Sequence, residues 1–198
     1  MKSKIIFATK NKGKIKEIRM IFEDDNIKVV SMEEAGINID VVEDGTTFEE
    51  NAIKKAKEIM EYSKTIVMAD DSGLEVDYMN KAPGIYSARF GGEDTSYTIK
   101  NQMILDRLKD IPYEKRTARF VCVIATVFPD GKIITTKGTI EGYIAQKPNG
   151  DNGFGYDPIF YVPEYNCTTG EMSPELKNKI SHRGKALRAM KLDLEKYL

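Results

Sequence analysis

Apolar positions along the chain change period several times, and each change marks an element. Residues 4–8 run almost continuously apolar (Ile5, Ile6, Phe7, Ala8) and break at Thr9, the pattern of a short buried strand. Ile15, Ile18, Met20, Ile21 and Phe22 then recur at a mostly helical spacing, and Ile27 to Val30 reads as a second strand. Thr47-Phe48-Glu49-Glu50 has the form of a capping box, in which a hydroxyl and a Glu three residues on satisfy each other's backbone N–H. The helix after it extends to about Tyr62, with Ala52, Ile53, Ala56, Ile59 and Met60 on its apolar face. Ile66 to Ala69 predicts a short buried strand that ends at Asp70. Lys81-Ala82-Pro83-Gly84 predicts a turn. Residues 96–108 predict a helix with Ile99, Met103, Ile104 and Leu108 facing inward.

The following stretch is β-rich. Residues 117–128, the turn Pro129-Asp130-Gly131 and residues 132–136 read as an antiparallel hairpin, and residues 139–145 continue the sheet. Residues 148–157 surround Phe154 and Tyr156 with Pro148, Gly150, Gly153 and Gly155, which predicts an ordered loop or lid. The last helix runs from about His182 to Lys196, with Ser181 as its cap. This order predicts an α/β fold, a sheet with parallel and antiparallel parts flanked by helices.

Composition narrows the function classes. A chain of 198 residues can bury one sizeable core. Its formal net charge of -1 supplies no overall basic field, so neither nucleic acid nor a membrane surface is an expected partner. The apolar stretch after Met1-Lys2-Ser3-Lys4 is too short for a signal peptide or a membrane span. Cys122 and Cys167 lack metal-ligand spacing and there is a single histidine, so no zinc site is expected and the reducing cytoplasm is the expected compartment.

Candidate chemistry lies in three places. Thr9-Lys10-Asn11-Lys12-Gly13-Lys14 follows a strand and opens a helix, where unpaired N–H groups and the helix dipole favour an anion. Lysines at that end oppose the dipole, so they either face solvent or answer a polyphosphate. Asp70-Asp71 follows a buried strand, and Glu43-Asp44-Gly45 is a second acidic loop. Side chains alternate along an extended chain, so Asp70 and Asp71 should point to opposite sides. Glu43 with one of them would suit Mg2+, which takes one or two protein carboxylates, although Asp-Asp-Ser-Gly also suits a simple turn. Finally, Ser181-His182-Arg183 places two cations at a helix start, an unfavourable position that calls for compensation.

Six ordered blocks cover nearly the whole chain: FATKNKGKIKEI, EDGTTFEENAIKKA, ADDSGLEVD, APGIYSARF, GFGYDPIF and KNKISHRGKAL. Together they resemble the inosine triphosphate pyrophosphatase family, also called the Ham1 family. The resemblance implies an elongated ITPase-like (Maf/Ham1) α/β fold, with residues 1–198 forming one domain of two lobes around a central cleft. It also implies a homodimer, Mg2+ dependence, and hydrolysis of ITP, dITP and XTP to the monophosphate and pyrophosphate. Residue by residue, Thr9, Asn11 and Lys14, with Lys10, Lys12 and Gly13 between them, match the triphosphate loop. Glu43 and Asp71 match the metal and catalytic acids, Asp71 as general base, with Asp70 beside them as a further metal candidate. Lys55 matches a phosphate-facing lysine and Ser72 a substrate contact. Phe154, Gly155, Tyr156 and Asp157 match the base-side loop, and Lys177, His182 and Arg183 the group that reads the purine. Two other readings are a Maf-like pyrophosphatase acting on pyrimidine or modified nucleotides, and a nucleotide-sensing or single-strand-binding module without turnover.

Overall fold

The computed structural model describes residues 3–22 and 27–197. Seven strands form one mixed sheet: β1 (Ser3–Phe7), β2 (Ile27–Ser31), β3 (Val67–Val76), β4 (Thr117–Val127), β5 (Ile133–Ile144), β6 (Phe160–Val162) and β7 (Cys167–Thr168), in the order β2-β1-β3-β4-β5-β6-β7. β1 pairs parallel with β2 and β3, whereas the β5–β6 and β6–β7 pairs are antiparallel. The helices are α1 (Lys12–Phe22), α2 (Phe48–Ser63), α3 (Tyr97–Arg107), α4 (Pro174–Ile180) and α5 (His182–Leu194). None of the described helices is long and apolar enough to cross a membrane.

Contacts divide the chain into two units. The first holds the described parts of residues 1–71, 122–138 and 182–198, and the second residues 72–121 and 139–181. In the first unit, Ile5 and Phe7 of β1 and Met68 of β3 pack with Ile18 and Phe22 of α1 and with Leu187 and Met190 of α5. Ile6 points to the opposite face by the two-residue period of a strand, and it is buried as well. Both faces of β1 are therefore covered, which is why its sequence is a continuous apolar run rather than an alternation. Each such side chain contributes roughly 1.5–3 kcal/mol. The second unit has its own core, which joins Leu74 and Val76 of β3, Ile104 of α3, Phe120 of β4 and Phe160 of β6. Arg116 is buried there, and its guanidinium donates to the carbonyls of Leu108, Ile144 and Ala145.

Local signals explain most element ends. The Thr47 hydroxyl accepts from the Glu50 N–H, while the Glu50 carboxylate receives the Thr46 N–H and hydroxyl, so the capping box closes one residue early. Lys64, in the left-handed conformation, ends α2 by donating its N–H to Met60. Four expectations need correction. The strand that carries Asp70 and Asp71 does not stop there but continues as β3 to Val76. Residues 133–144 form one unbroken strand where two were expected. Ile99 faces solvent, and α3 instead buries Lys100 and Asn101. The helix α4, capped by the Ser173 hydroxyl, was not anticipated.

Gly138 accounts for the second correction. It resembles a break in the sequence, but it lies within β5 because the start of α5 presses on it. A Cβ there would lie 2.1 Å from the His182 carbonyl oxygen and 2.7 Å from the Ala186 nitrogen. Gly138→Ala must push α5 away. Chemical denaturation should show a loss of about 1–3 kcal/mol, the usual cost of overpacking, and unchanged stability would mean that α5 yields freely.

Candidate active site

In the first unit the loop between β1 and α1 is organised by its own side chains. The Asn11 N–H donates to the Thr9 hydroxyl at 3.2 Å, and the Lys14 N–H donates to Asn11 Oδ1 at 3.1 Å, so Asn11 caps α1. The lysines of this loop diverge. Lys10 forms an exposed pair with Asp40 at 2.6 Å, and Lys14 turns inward to the Asp70 carboxylate at 2.9 Å.

Asp70 and Asp71 occupy opposite sides of β3, as strand alternation demands. Asp70 is fully buried and receives the Arg183 Nε at 3.2 Å in addition to Lys14, while Lys55 Nζ donates to its backbone carbonyl at 2.9 Å. Burial works against its charge, but Lys14, Arg183 and Lys55 together hold its carboxyl well below the usual carboxylate range. Asp71 faces different company: its Oδ2 accepts from the Asn51 amide at 3.0 Å. Burial first, and the Glu43 charge second, push its pKa up to about 6. Glu43 is ion-paired with Lys55. Burial opposes the charge of Lys55, yet Asp70, Glu43 and Asp71 raise its pKa.

Asn51 was missed from sequence. It fixes Asp71 with its amide while its Oδ1 accepts from the Gly45 N–H at 2.8 Å, which ties the acidic loop to the carboxylate. Its signal was present: a polar residue on the buried stripe of α2, one helical turn before Lys55. The description of Asp70 and Asp71 as loop carboxylates is also corrected, since both are buried within a strand.

At the start of α5, the compensation for Arg183 is internal. Its guanidinium donates to Glu17 Oε2 at 2.5 Å and to Asp70, and its side chain is 3% exposed. His182 is buried beside it in the chain. Lys177, grouped with these two by the resemblance, belongs to the second unit. There its ammonium donates to Asp157 Oδ2 at 2.6 Å and lies 4.5 Å from the centre of the Phe154 ring. The same Asp157 oxygen accepts from the Phe154 N–H at 2.8 Å, and Oδ1 accepts from the Thr169 hydroxyl at 2.9 Å. Tyr156 anchors the loop, its hydroxyl donating to the Ser87 carbonyl at 2.7 Å, and the Gly155 carbonyl accepts from the Asn101 amide at 3.2 Å. Ser72 is half-buried on β3.

Residues 5–192 match the model of the Ham1 family. The chain belongs to the Ham1 family. That membership decides against the Maf-like reading. The chain is 50% identical over 198 residues to the dITP/XTP pyrophosphatase of Clostridium perfringens (strain 13 / Type A), covering 97% of each. It is 50% identical over 185 residues to that of Desulforamulus reducens, covering 93% of this chain and 92% of the relative. Among solved structures, the Ham1 protein of Staphylococcus aureus superposes with a TM-score of 0.88 at 43% identity, covering 99% of this chain and all of that one. A HAM1 protein from Coxiella burnetii gives 0.89 at 38% identity, covering 98% and 99%.

The chemistry of the first unit fits a divalent cation. Among the described residues no three His, Cys, Asp or Glu side chains come together as a ligand cluster. The carboxylates on offer are Glu43 and Asp71, close enough that one charge raises the other's pKa. A dication would relieve that repulsion, and Mg2+ needs no more than one or two protein carboxylates.

Asp71 yields a prediction with a definite sign. Its folded pKa of about 6 lies above the ordinary value of 3.8, so the folded state holds the proton more tightly than the unfolded chain. Its ionisation therefore costs stability that is absent below pH 3.8, grows as pH rises to about 6, and is fully present above. Without metal, Asp71→Asn should be more stable than the parent by about 3 kcal/mol at pH 8, with the gain vanishing near pH 4. Denaturant titrations in EDTA at both pH values decide it, and a gain independent of pH would remove the electrostatic cause.

Proposed function

We propose that this Ham1 protein is a nucleoside-triphosphate pyrophosphohydrolase acting on non-standard purine nucleotides (ITP, dITP, XTP), releasing the monophosphate and pyrophosphate. The observation that carries the proposal is Asp71: a buried carboxylate fixed by Asn51, with a pKa near 6, within reach of the charge of Lys55, while Lys14 stands on the neighbouring Asp70. The relatives named dITP/XTP pyrophosphatase support the choice of substrates.

In the proposed reaction a water oxygen forms a bond to the α-phosphorus, and the bond from that phosphorus to the bridging oxygen of the β-phosphate breaks. Asp71 accepts the water's proton. With a metal-free pKa of about 6, its carboxylate is already ionised at pH 7 and free of the proton it must accept. Lys14 and Lys55 stabilise the charge that builds on the departing pyrophosphate. Glu43 and Asp71 would hold Mg2+, which when bound neutralises phosphate charge and acidifies water. Asp70 serves as the charge partner of Lys14 and Arg183. No covalent nucleophile is needed, and burial pushes the Cys122 thiol up, away from reactivity.

For the base, hypoxanthine and xanthine offer a 6-keto acceptor where adenine offers an amino donor. The proposed reader is Lys177 of the second unit, with the Phe154 ring beneath its ammonium. A site built to donate to the keto group rejects adenine by leaving its own donors unpaired, a penalty that can reach on the order of 10^4-fold. Dimerisation and a cytoplasmic location are part of the same proposal, supported by the family resemblance.

Product identity tests the proposal. ITP with Mg2+ should give IMP and pyrophosphate in one step, with XTP and dITP also turned over and ATP and GTP disfavoured. IDP and orthophosphate as first products would mean attack on the γ-phosphorus and would sink the mechanism. Asp71→Asn should lower kcat by at least ~10^2-fold, and near-normal turnover in that variant would move the base elsewhere.

A further inference from the structure

Four charged side chains of the first unit make a ring of three ion pairs and one helix spacing. Lys14 and Glu17 stand three residues apart on α1, a spacing that puts them on one helix face. Glu17 accepts from Arg183 at 2.5 Å, Arg183 donates to Asp70 at 3.2 Å, and Asp70 takes Lys14 at 2.9 Å. Charge alternates around the ring and sums to zero. Exposure is graded: the side chains of Asp70, Arg183 and Glu17 are 0%, 3% and 13% exposed, and that of Lys14 is 18%. Lys14 is thus the member that opens toward solvent, and it is also the one in the phosphate loop.

Glu17 has been given no role so far beyond its pairing with Arg183. We propose that Glu17 is a positioning residue: by holding Arg183 it leaves Asp70 shared between Arg183 and Lys14, and so fixes where and how strongly Lys14 presents its charge to the phosphates. The proposal rests on the pyrophosphohydrolase reading for its kinetic consequence, but not for its electrostatic one. Without the Glu17 charge the ring carries a net +1. Arg183, having lost one carboxylate, takes more of the other, because a guanidinium favours a two-point grip on a carboxylate. Lys14 is then displaced from Asp70. Its charge is less neutralised and its position less fixed. An added unit charge near a polyanion, in a medium between protein and water, strengthens binding roughly tenfold. Turnover moves the other way, since transition-state stabilisation depends on a fixed donor rather than a mobile one.

The test pairs calorimetry of inorganic tripolyphosphate, in EDTA, with steady-state kinetics on ITP and ATP. Glu17→Gln is expected to bind tripolyphosphate roughly tenfold more tightly and to lose roughly tenfold in kcat, equally for both nucleotides. Glu17→Asp, which keeps the charge, should restore both toward the parent. In a Lys14→Met background the Glu17→Gln substitution should no longer lower kcat, because its effect on turnover acts through Lys14. Weaker tripolyphosphate binding together with lower stability would overturn the proposal and leave Glu17 a structural residue. A loss confined to ITP would also overturn it, by showing that Glu17 acts on base reading through Arg183. If Glu17→Gln does not fold, the Asp variant carries the same signature at smaller amplitude, and its absence there overturns the proposal. If the parent enzyme does not convert ITP to IMP and pyrophosphate, the functional reading fails while the calorimetric comparison still decides the role of Glu17.

Discussion

The first unit is organised around one buried charge. Asp70 has no exposure to solvent, and a carboxylate removed from water costs several kcal/mol unless its partners are well placed. Those partners come from three helices: Lys14 from α1, Arg183 from α5, and Lys55 from α2 on the backbone carbonyl. A purely apolar core tolerates small slips of helix against sheet, because dispersion and area burial have little direction. Charge-assisted hydrogen bonds do not, since removing one partner of a buried pair costs about 3–5 kcal/mol. The ion set therefore locates the start of α1, and with it the Thr9–Lys14 loop, more sharply than Ile18 and Phe22 can by packing alone.

The adjacent residue meets the opposite environment. Strand alternation turns Asp71 away from Lys14 and Arg183 and toward Asn51 and the charges of Glu43 and Lys55. One carboxyl is driven below the usual range and its neighbour to about 6. Two chemically identical side chains are thus separated in acidity by environment, the pattern by which acid–base assignments are read from a site. Asp71 has this acidity because burial raises its pKa more than the Asn51 amide lowers it.

Much of the fold was legible in local patterns. The buried run of β1, the capped helix α2, the turn at residues 129–131 and the C-terminal helix all depend on interactions within a few residues, which a sequence displays directly. Failures occurred where a distant contact overruled a local signal. Gly138 and the run Asp70-Asp71-Ser72-Gly73 look like breaks, because glycine and aspartate favour turns. In the folded chain Gly138 makes room for α5, and Asp70 is carried inside β3 by the cations it meets, Asp71 by the Asn51 amide. Ile99 faces outward because α3 turns Lys100 and Asn101 inward, the latter to the Gly155 carbonyl.

The sequence by itself determined which chemical groups exist, their order and the family they belong to, since six motif blocks in register leave little freedom. Only the tertiary structure decided who meets whom. Glu17 and Arg183 are 166 positions apart, and Arg183 and Asp70 are 113 apart. No periodicity reaches across such distances, so a lysine suited to phosphate and a lysine already paired with a carboxylate look the same in a sequence. The stripe of α2 marks Asn51 as buried, but its partner Asp71 is fixed only when α2 and β3 are brought together. The acidity of Asp71, the sharing of Asp70 and the ion pairs that link it to Glu17 through Arg183 are all consequences of distance and dielectric, which exist only once the chain has folded.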